Sequence, residues 1–191
     1  MLFGVDTSGK IGQGNLYLSV VEYKQTDIME KLREKVSKRH MALASRRRIK
    51  ATDLKESELK WFVDNFLLKY SASILSISSF SALRKEMLNV KDWKFKTLAS
   101  SIYFSSKNLI RNNDVLLIDR DYSENVMKSI LAYTRTLFEK LDRKNVIVEV
   151  GTSFNEVIAI ADIVAGCAKR KQVDCKKLKP KDLAEILRSL R

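Results

Sequence analysis

The sequence has little that would divide it into separate pieces or anchor it in a membrane. With one proline and six glycines among 191 residues, no stretch has the composition of a disordered linker. No apolar run reaches the roughly eighteen residues that a membrane-spanning helix needs. The segment Leu2 to Val5 has the pattern of a strand, with no basic segment before it. We therefore expect a cytoplasmic protein without a signal peptide.

Cysteine and histidine are also scarce, which excludes several kinds of site. The two cysteines, Cys167 and Cys175, have no matching cysteine or histidine pair, so a zinc site is not expected and reduced thiols are. His40 is the only histidine. No Ser-His-Asp or Cys-His arrangement forms around it, and we expect it at the surface or in contact with backbone.

Positive charge, in contrast, is abundant. The formal net charge is +13, which favours a polyanionic partner, nucleic acid ahead of an acidic membrane. A merely lysine-rich soluble surface is the alternative. Cations are dense between Lys31 and Lys50, and the candidate nucleic-acid contacts there are Lys38, Arg39, Arg46, Arg47, Arg48 and Lys50. The other interpretation of this region is a solvated helix face, and the basic tail from Lys169 to Lys181 has the same two interpretations.

The periodicity predicts an α/β fold. Strands are expected at 2–5, 15–23, 73–78, 115–118 and 146–150, and a turn at 7–14. Helices are expected from capping-box patterns at Asp27 and Asp53, and over 79–89, 92–110, 123–142, 152–171 and from Pro180 onward. A hairpin followed by alternating helices and strands predicts a mixed sheet, with antiparallel and parallel strands and helices on its faces.

The domain organisation follows from this order of elements. We expect one domain over residues 1–172, with a basic helical insertion at about 26–70, and a basic helical extension over 173–191.

Three aspartates lie where local structure does not require them. Asp6 and Asp119 each follow an apolar strand, and ligands bind at the carboxyl ends of strands in open α/β sheets. Asp162 is the one charge in the apolar helical stretch from Val157 to Ala168. An uncompensated carboxylate there would cost several kcal/mol, so a metal ion or a buried cation is expected beside it.

Each aspartate also has a local interpretation. Asp6 could cap the turn that follows it, Asp119 could cap the helix near Ser123, and Asp162 could pair with Lys169 or Lys171, although neither lies at helical spacing. Taken together, the three carboxylates predict a shared catalytic metal site. Without a histidine or thiol cluster, Mg²⁺ or Mn²⁺ is expected, and such ions can activate water for phosphodiester cleavage.

The opening segment also approaches the phosphate-binding loop pattern. Gly4 to Lys10 matches in part, but Ile11 stands where a Ser or Thr is needed, so a P-loop nucleotidase is not expected. The same opening resembles the phosphate loop of actin-like ATPases, which need a second, duplicated domain that this chain is too short to hold.

Three motifs resemble the family catalogued as domain of unknown function 3800. Val5-Asp6-Thr7-Ser8-Gly9 is similar to its D-E-S-G start, Leu117 to Arg120 to its second carboxylate strand, and Ile160 to Gly166 to its L-A-D-L-I-A-G helix. The segment Ile49 to Leu54 is similar to its middle region, and the resemblance covers roughly residues 1–172.

The resemblance implies an RNase H-like fold and metal-dependent nuclease activity, with Asp6, Asp119 and Asp162 as the metal ligands. Two departures stand out. Thr7 replaces the usual Glu, and the fourth carboxylate could be Asp121 or Glu149.

The sequence therefore predicts a Mg²⁺- or Mn²⁺-dependent nuclease acting on DNA or RNA. Two alternatives stay open. One is a nucleic-acid-binding protein on the same fold that no longer catalyses, which Thr7 favours, and the other is a protein–protein interaction module. Binding to nucleic acid should weaken steeply with salt, whereas a hydrophobic protein interface should not.

Overall fold

The computed structural model describes residues 1–10, 13–24, 27–46, 48–67, 72–77, 91–152 and 155–188. Some predictions therefore lie wholly or partly outside the described residues. They are the helix over 79–89, the contact assigned to Arg47, the last residue of the strand predicted at 73–78, residues 11–12 of the predicted turn, and residues 153–154 of the helix predicted over 152–171. Within the described part of the chain, no helix is both long enough and apolar enough to cross a membrane.

Six strands form one mixed sheet. They are β1 (Leu2–Lys10), β2 (Gln13–Glu22), β3 (Ala72–Ile77), β4 (Val115–Asp119), β5 (Ile147–Gly151) and β6 (Lys176–Leu178). The order across the sheet is β5-β4-β1-β2-β3-β6. β2 is antiparallel to both of its neighbours, whereas the β1–β4, β4–β5 and β3–β6 pairs are parallel. The predicted mixed α/β sheet is confirmed.

The first hairpin is longer than predicted. Asp6 lies within β1 and pairs with Ser19 of β2, and pairing continues to Lys10 and Gln13 through an irregularity between Ser8 and Lys10. Gly9 has φ of +112° at that irregularity, a conformation that glycine adopts without steric cost. The expectation that the first strand ends at Asp6 was wrong, and residues 7–10, 13 and 14 of the predicted turn belong to the strands, because an irregularity at Gly9 keeps the two strands paired.

Seven α-helices surround the sheet in the described residues. They are α1 (Ile28–Ser37), α2 (Met41–Ala44), α3 (Glu56–Phe62), α4 (Trp93–Ser106), α5 (Glu124–Leu137), α6 (Glu156–Lys169) and α7 (Pro180–Arg188). A 3-10 turn covers Ala51–Asp53, and π-helical turns over Val63–Leu67 and Phe138–Asp142 extend α3 and α5.

The predicted helix starts were close, but their caps differ. Asp27 precedes α1 without a side-chain capping bond and instead pairs with Lys31. Asp53 accepts a hydrogen bond from the Lys50 amide at 3.0 Å, which places it in the 3-10 turn rather than at the start of α3. At α3 the capping acceptor is Glu58, which binds the Lys55 amide at 2.7 Å. Asp53 therefore caps the 3-10 turn, and Glu58 caps the helix that Asp53 was predicted to start.

The core has a layer on each face of the sheet. One contains α4, α5 and alternate residues of β1 and β2, including Phe3 and Val5. The other contains α1, α3 and α6. Helix α6 lies close to β1, because a Cβ atom at Gly4 would be 2.6 Å from the carbonyl oxygen of Val157. Ser19 Oγ donates to the Ala161 carbonyl oxygen at 2.7 Å, which joins α6 to β2.

The C-terminal segment adds a strand that the sequence analysis did not predict. β6 pairs with β3 at the edge of the sheet, and Leu178 and Leu183 are buried in the α4–α5 layer. Residues after 172 therefore contribute both to the sheet and to its core.

Candidate functional site

Asp6 and Asp119 are brought together by the parallel pairing of β1 and β4. Val5 pairs with Ile118, so the next step of the same register sets Asp6 beside Asp119. Alternation along a strand directs Asp6 to the same face as Gly4, the face that α6 covers. Asp6 is 3% exposed, and the Asp119 side chain is 13% exposed. Two carboxylates from adjacent strands therefore lie largely buried under α6.

The two carboxylates are held in the same way. Asp6 Oδ1 accepts the amide N–H of Thr7 at 2.6 Å, and Asp119 Oδ1 accepts that of Arg120 at 3.0 Å. In each residue the following amide engages one oxygen and fixes the orientation of the carboxylate. The second oxygen, Oδ2, is directed to a partner elsewhere in the chain.

A third carboxylate joins them from the loop after β4. The Asp121 amide donates to the Asp119 carbonyl oxygen at 3.0 Å, and Thr7 Oγ1 donates to Asp121 Oδ2 at 3.0 Å. One oxygen each from Asp6, Asp119 and Asp121 lie within 4.8 Å of one another. We call these three residues the acidic cluster. The sequence analysis had named Asp121 only as one candidate for a fourth carboxylate, and the other, Glu149, is exposed on β5.

Asp162 lies beside the acidic cluster, on α6. Its Oδ2 accepts the Ala51 amide N–H at 2.9 Å. Among the described residues, the carboxylates whose oxygens lie within 4.8 Å of one another are those of the acidic cluster, and Asp162 is not one of them. It is nevertheless close enough for its charge to raise the pKa of Asp6. Of the three aspartates predicted to share a metal, the structure thus groups Asp6 with Asp119 and places Asp162 next to them.

The acidic groups are short of positive charge. Burial, followed by the charges of Asp162, Asp121 and Asp119, raises the pKa of Asp6 to about 9. Desolvation and the charge of Asp119 raise the pKa of Asp121. Desolvation also raises the pKa of Asp162, although the Ala51 amide and Arg48 act in the opposite direction. A cation placed among these oxygens would be strongly favoured.

Arg48 supplies one such cation from the chain itself. Its Nη2 lies 3.1 Å from Asp6 Oδ2 and 3.0 Å from Asp119 Oδ2, and the side chain is 14% exposed. Burial lowers the pKa of Arg48, but the hydrogen bond and charge of Asp119 and the charge of Asp6 raise it by more. The guanidinium was predicted to contact nucleic acid, which stays a prediction, and in the structure it contacts these two carboxylates. Nothing in the arginine run distinguished Arg48 from its neighbours.

The segment that carries Arg48 is fastened to α6. We call residues 48–54 the strap. Its Ala51 amide donates to Asp162, while Arg170 donates from Nη1 to the Leu54 carbonyl oxygen at 2.9 Å and from Nη2 to that of Ala51 at 3.2 Å. Asp162 lies on α6 and Arg170 directly follows its last residue. The two residues are about two helical turns apart, so one face of the helix holds the strap.

The other predicted nucleic-acid contacts divide into two groups. Arg39 donates from Nε and Nη2 to the two oxygens of Glu58, both at 2.9 Å, and Arg46 pairs with Asp53 at 3.3 Å. Lys38 and Lys50 are exposed. His40, as expected, contacts backbone, since its Nδ1 accepts the Leu43 amide.

A pocket lies beside the acidic cluster. Its lining combines apolar side chains with three carboxylates, a composition typical of ligand sites. The lining residues are Val5, Asp6, Thr7, Leu98, Ile102, Ile118, Asp119, Asp121, Tyr122 and Met127.

The donor set fits a hard divalent cation. The acidic cluster offers only carboxylate oxygens, the ligands that Mg²⁺ and Mn²⁺ prefer. Its charge is balanced in part by the guanidinium of Arg48. Asp6, Asp119 and Asp121 could therefore hold such an ion.

Comparison with solved structures identifies the fold. RNase HII of Archaeoglobus fulgidus, in its complex with PCNA, matches with a TM-score of 0.58 and 18% identity, covering 90% of this chain and 73% of that one. Two structures of Bst-RNase HIII, one a mutant and one in complex with Mn²⁺, each match with a TM-score of 0.56, at 13% and 15% identity. The alignments cover 89% of this chain and 52% of the Bst-RNase HIII chains, so this chain spans about half their length.

These likenesses show that the chain has an RNase H-like fold. No family model and no curated protein sequence matches the chain. The predicted fold is thus confirmed, while membership of the family known as domain of unknown function 3800 stays a prediction.

Proposed function

We propose that the chain is a divalent-metal-dependent nuclease that hydrolyses phosphodiester bonds in DNA or RNA. The observation that carries the proposal is the acidic cluster, whose three oxygens lie within 4.8 Å of one another on an RNase H-like sheet. Bst-RNase HIII, which shares this fold, has been solved in complex with Mn²⁺.

Asp6, Asp119 and Asp121 would hold Mg²⁺ or Mn²⁺, with Asp162 as a further carboxylate from α6. When bound, such a cation supplies an activated water and stabilises charge at the phosphate. Thr7, where the resembled family has Glu, orients Asp121 through its hydroxyl group. In this proposal a carboxylate from the β4 loop makes up for the one that position 7 lacks.

Nucleic acid is the proposed partner because of the net charge of +13. Lys38 and Lys50 are exposed in the insertion that also carries the strap, so they could contact phosphates near the acidic cluster. Arg39 and Arg46 face acidic side chains in the structure, and we assign them a smaller part.

Calorimetric titration with Mn²⁺ tests the metal site. We expect the wild type to bind and Asp119→Asn to lose binding, because a central ligand and its charge are removed. Asp174→Asn, a change at an exposed aspartate in the turn before β6, is the matched control and should bind as the wild type does.

A cleavage assay then tests the activity. Labelled single-stranded and double-stranded DNA and RNA and an RNA–DNA hybrid would be incubated with the same three proteins in Mn²⁺. Cleavage by the wild type and the control, but not by Asp119→Asn, is expected. Metal binding without cleavage of any substrate would count against the nuclease.

A second function, a nucleic-acid-binding protein without catalysis, is favoured by one observation. Arg48 already pairs with both Asp6 and Asp119 and balances part of their charge, as a permanent internal cation would in a site that has lost its metal. For such a protein we expect no Mn²⁺ binding, together with nucleic-acid binding that weakens steeply as salt is raised.

A further inference from the structure

We propose that Arg48 is a built-in counter-cation that closes the metal site, so that a divalent ion binds only when the guanidinium leaves Asp6 and Asp119. This inference rests on the proposed function, since it concerns the same oxygens.

The first argument is competition for specific atoms. The Oδ1 atoms of Asp6 and Asp119 already accept backbone amides, and Arg48 Nη2 contacts both Oδ2 atoms, at 3.1 and 3.0 Å. A divalent ion held by these two carboxylates would need the oxygens that Arg48 now contacts. It would then share the space between them with a second positive charge, so the two cations exclude one another.

The second argument is that the contact of Arg48 is incomplete. Both ion pairs use the same nitrogen, Nη2, rather than the two parallel bonds that make arginine–carboxylate pairs strong. Nε is buried and has no hydrogen-bond partner among the described residues. A buried donor without a partner destabilises this position, which makes the guanidinium easier to displace.

The third argument concerns what must move. The strap is fastened to α6 at Ala51 and Leu54, both beyond Arg48 in the chain. These contacts involve backbone groups and do not depend on where the Arg48 side chain lies. The guanidinium can therefore leave while the strap stays in place, and it would stay near the acidic cluster as a positive group available to phosphate.

Mn²⁺ titrations of Arg48→Met test the proposal. Removing the competing cation should strengthen binding by about tenfold or more, the range of typical coupling between two binding events. Lys60→Met is the matched control. It removes an exposed positive charge on α3, at a residue that has no part in the metal site or in the proposed phosphate contacts, and should change the affinity by roughly threefold at most.

A second variant guards against misfolding. Arg48→Gln is neutral but keeps an amide that can donate to a carboxylate, and it too should bind Mn²⁺ more tightly than the wild type. Circular dichroism would check the fold of each variant. In thermal melts, Mn²⁺ should raise the melting temperature of Arg48→Met more than that of the wild type, a readout that does not involve activity.

The outcomes separate this inference from the proposed function. Tighter binding by both Arg48 variants, or binding by them alone, supports the closed site. Equal or weaker binding by these variants overturns the role of Arg48, while loss of binding in Asp119→Asn would still support the metal site. If no protein binds Mn²⁺, both proposals fail.

Discussion

Gly166 provides the space that Ala51 occupies. A Cβ atom at position 166 would lie 2.2 Å from the Ala51 Cβ, a distance that no real structure tolerates. Gly166 is one turn after Asp162 on α6, so the close approach also brings the Ala51 amide to the Asp162 carboxylate. The absence of a side chain at Gly166 therefore sets the distance between the strap and α6.

Gly166→Ala is expected to destabilise the protein. Alanine favours a helix by about 1 kcal/mol over glycine, but overpacking costs about 1–3 kcal/mol, so a net loss of roughly 1 kcal/mol is expected. Urea denaturation measures the free energy of unfolding of each variant. The double variant Gly166→Ala with Ala51→Gly removes the clashing methyl group and should recover the loss in a double-mutant cycle. Additive effects of the two changes would contradict the packing argument.

Asp121→Asn is expected to weaken Mn²⁺ binding by at least about tenfold, since it removes a charge from the acidic cluster. Thr7→Val keeps the shape of the side chain but loses the hydroxyl that holds Asp121, and should weaken Mn²⁺ binding by about tenfold, as changes to groups that orient a ligand typically do.

Calorimetry would rank the Mn²⁺ affinities of these two variants against that of Asp162→Asn. A larger loss for Asp162→Asn would return that residue to the ligand set predicted from the sequence.

The two cysteines are expected to differ in reactivity. Cys167 is buried, and burial raises its pKa to about 12, although Arg170 acts in the opposite direction. A raised pKa keeps the thiol protonated below that value, so Cys167 should stay unreactive from pH 7 to pH 9 in the folded protein. Cys175 is partly exposed and should react.

Labelling with Ellman's reagent measures this difference. One thiol per chain should react in native buffer and two after unfolding in guanidinium chloride. Cys175→Ser should abolish the reaction of the folded protein, and two fast-reacting thiols in the native wild type would contradict the burial of Cys167.

Lys38→Ala and Lys50→Ala are each expected to weaken nucleic-acid binding. If each lysine contacts a phosphate, the slope of log affinity against log salt should fall in magnitude by about 1 per variant. Fluorescence anisotropy of labelled nucleic acid across a salt series measures this slope. Lys128→Ala is the control, because Lys128 is an exposed lysine on α5, which packs on the other face of the sheet. An equal change in this control would show a general charge effect.

The sequence by itself determined the fold class and most of its elements. The apolar run before Asp119 and the apolar helix around Asp162 are local patterns, and hydrophobic periodicity reports them directly because burial acts on each face of an element. Because both aspartates follow apolar strands, their part in a shared site was open to prediction. The parallel pairing of β1 and β4, which places Asp6 beside Asp119, is seen only in the structure.

The tertiary structure alone decided which atoms meet across long separations. Arg48 reaches Asp119 from 71 residues away, and Thr7 reaches Asp121 from 114 residues away. No local periodicity encodes such contacts, since they depend on how the strap lies on α6 and how the β4 loop turns. Strand β6 was missed for a related reason. It has three residues, too few to show an alternating pattern, and becomes a strand because β3 offers it an edge.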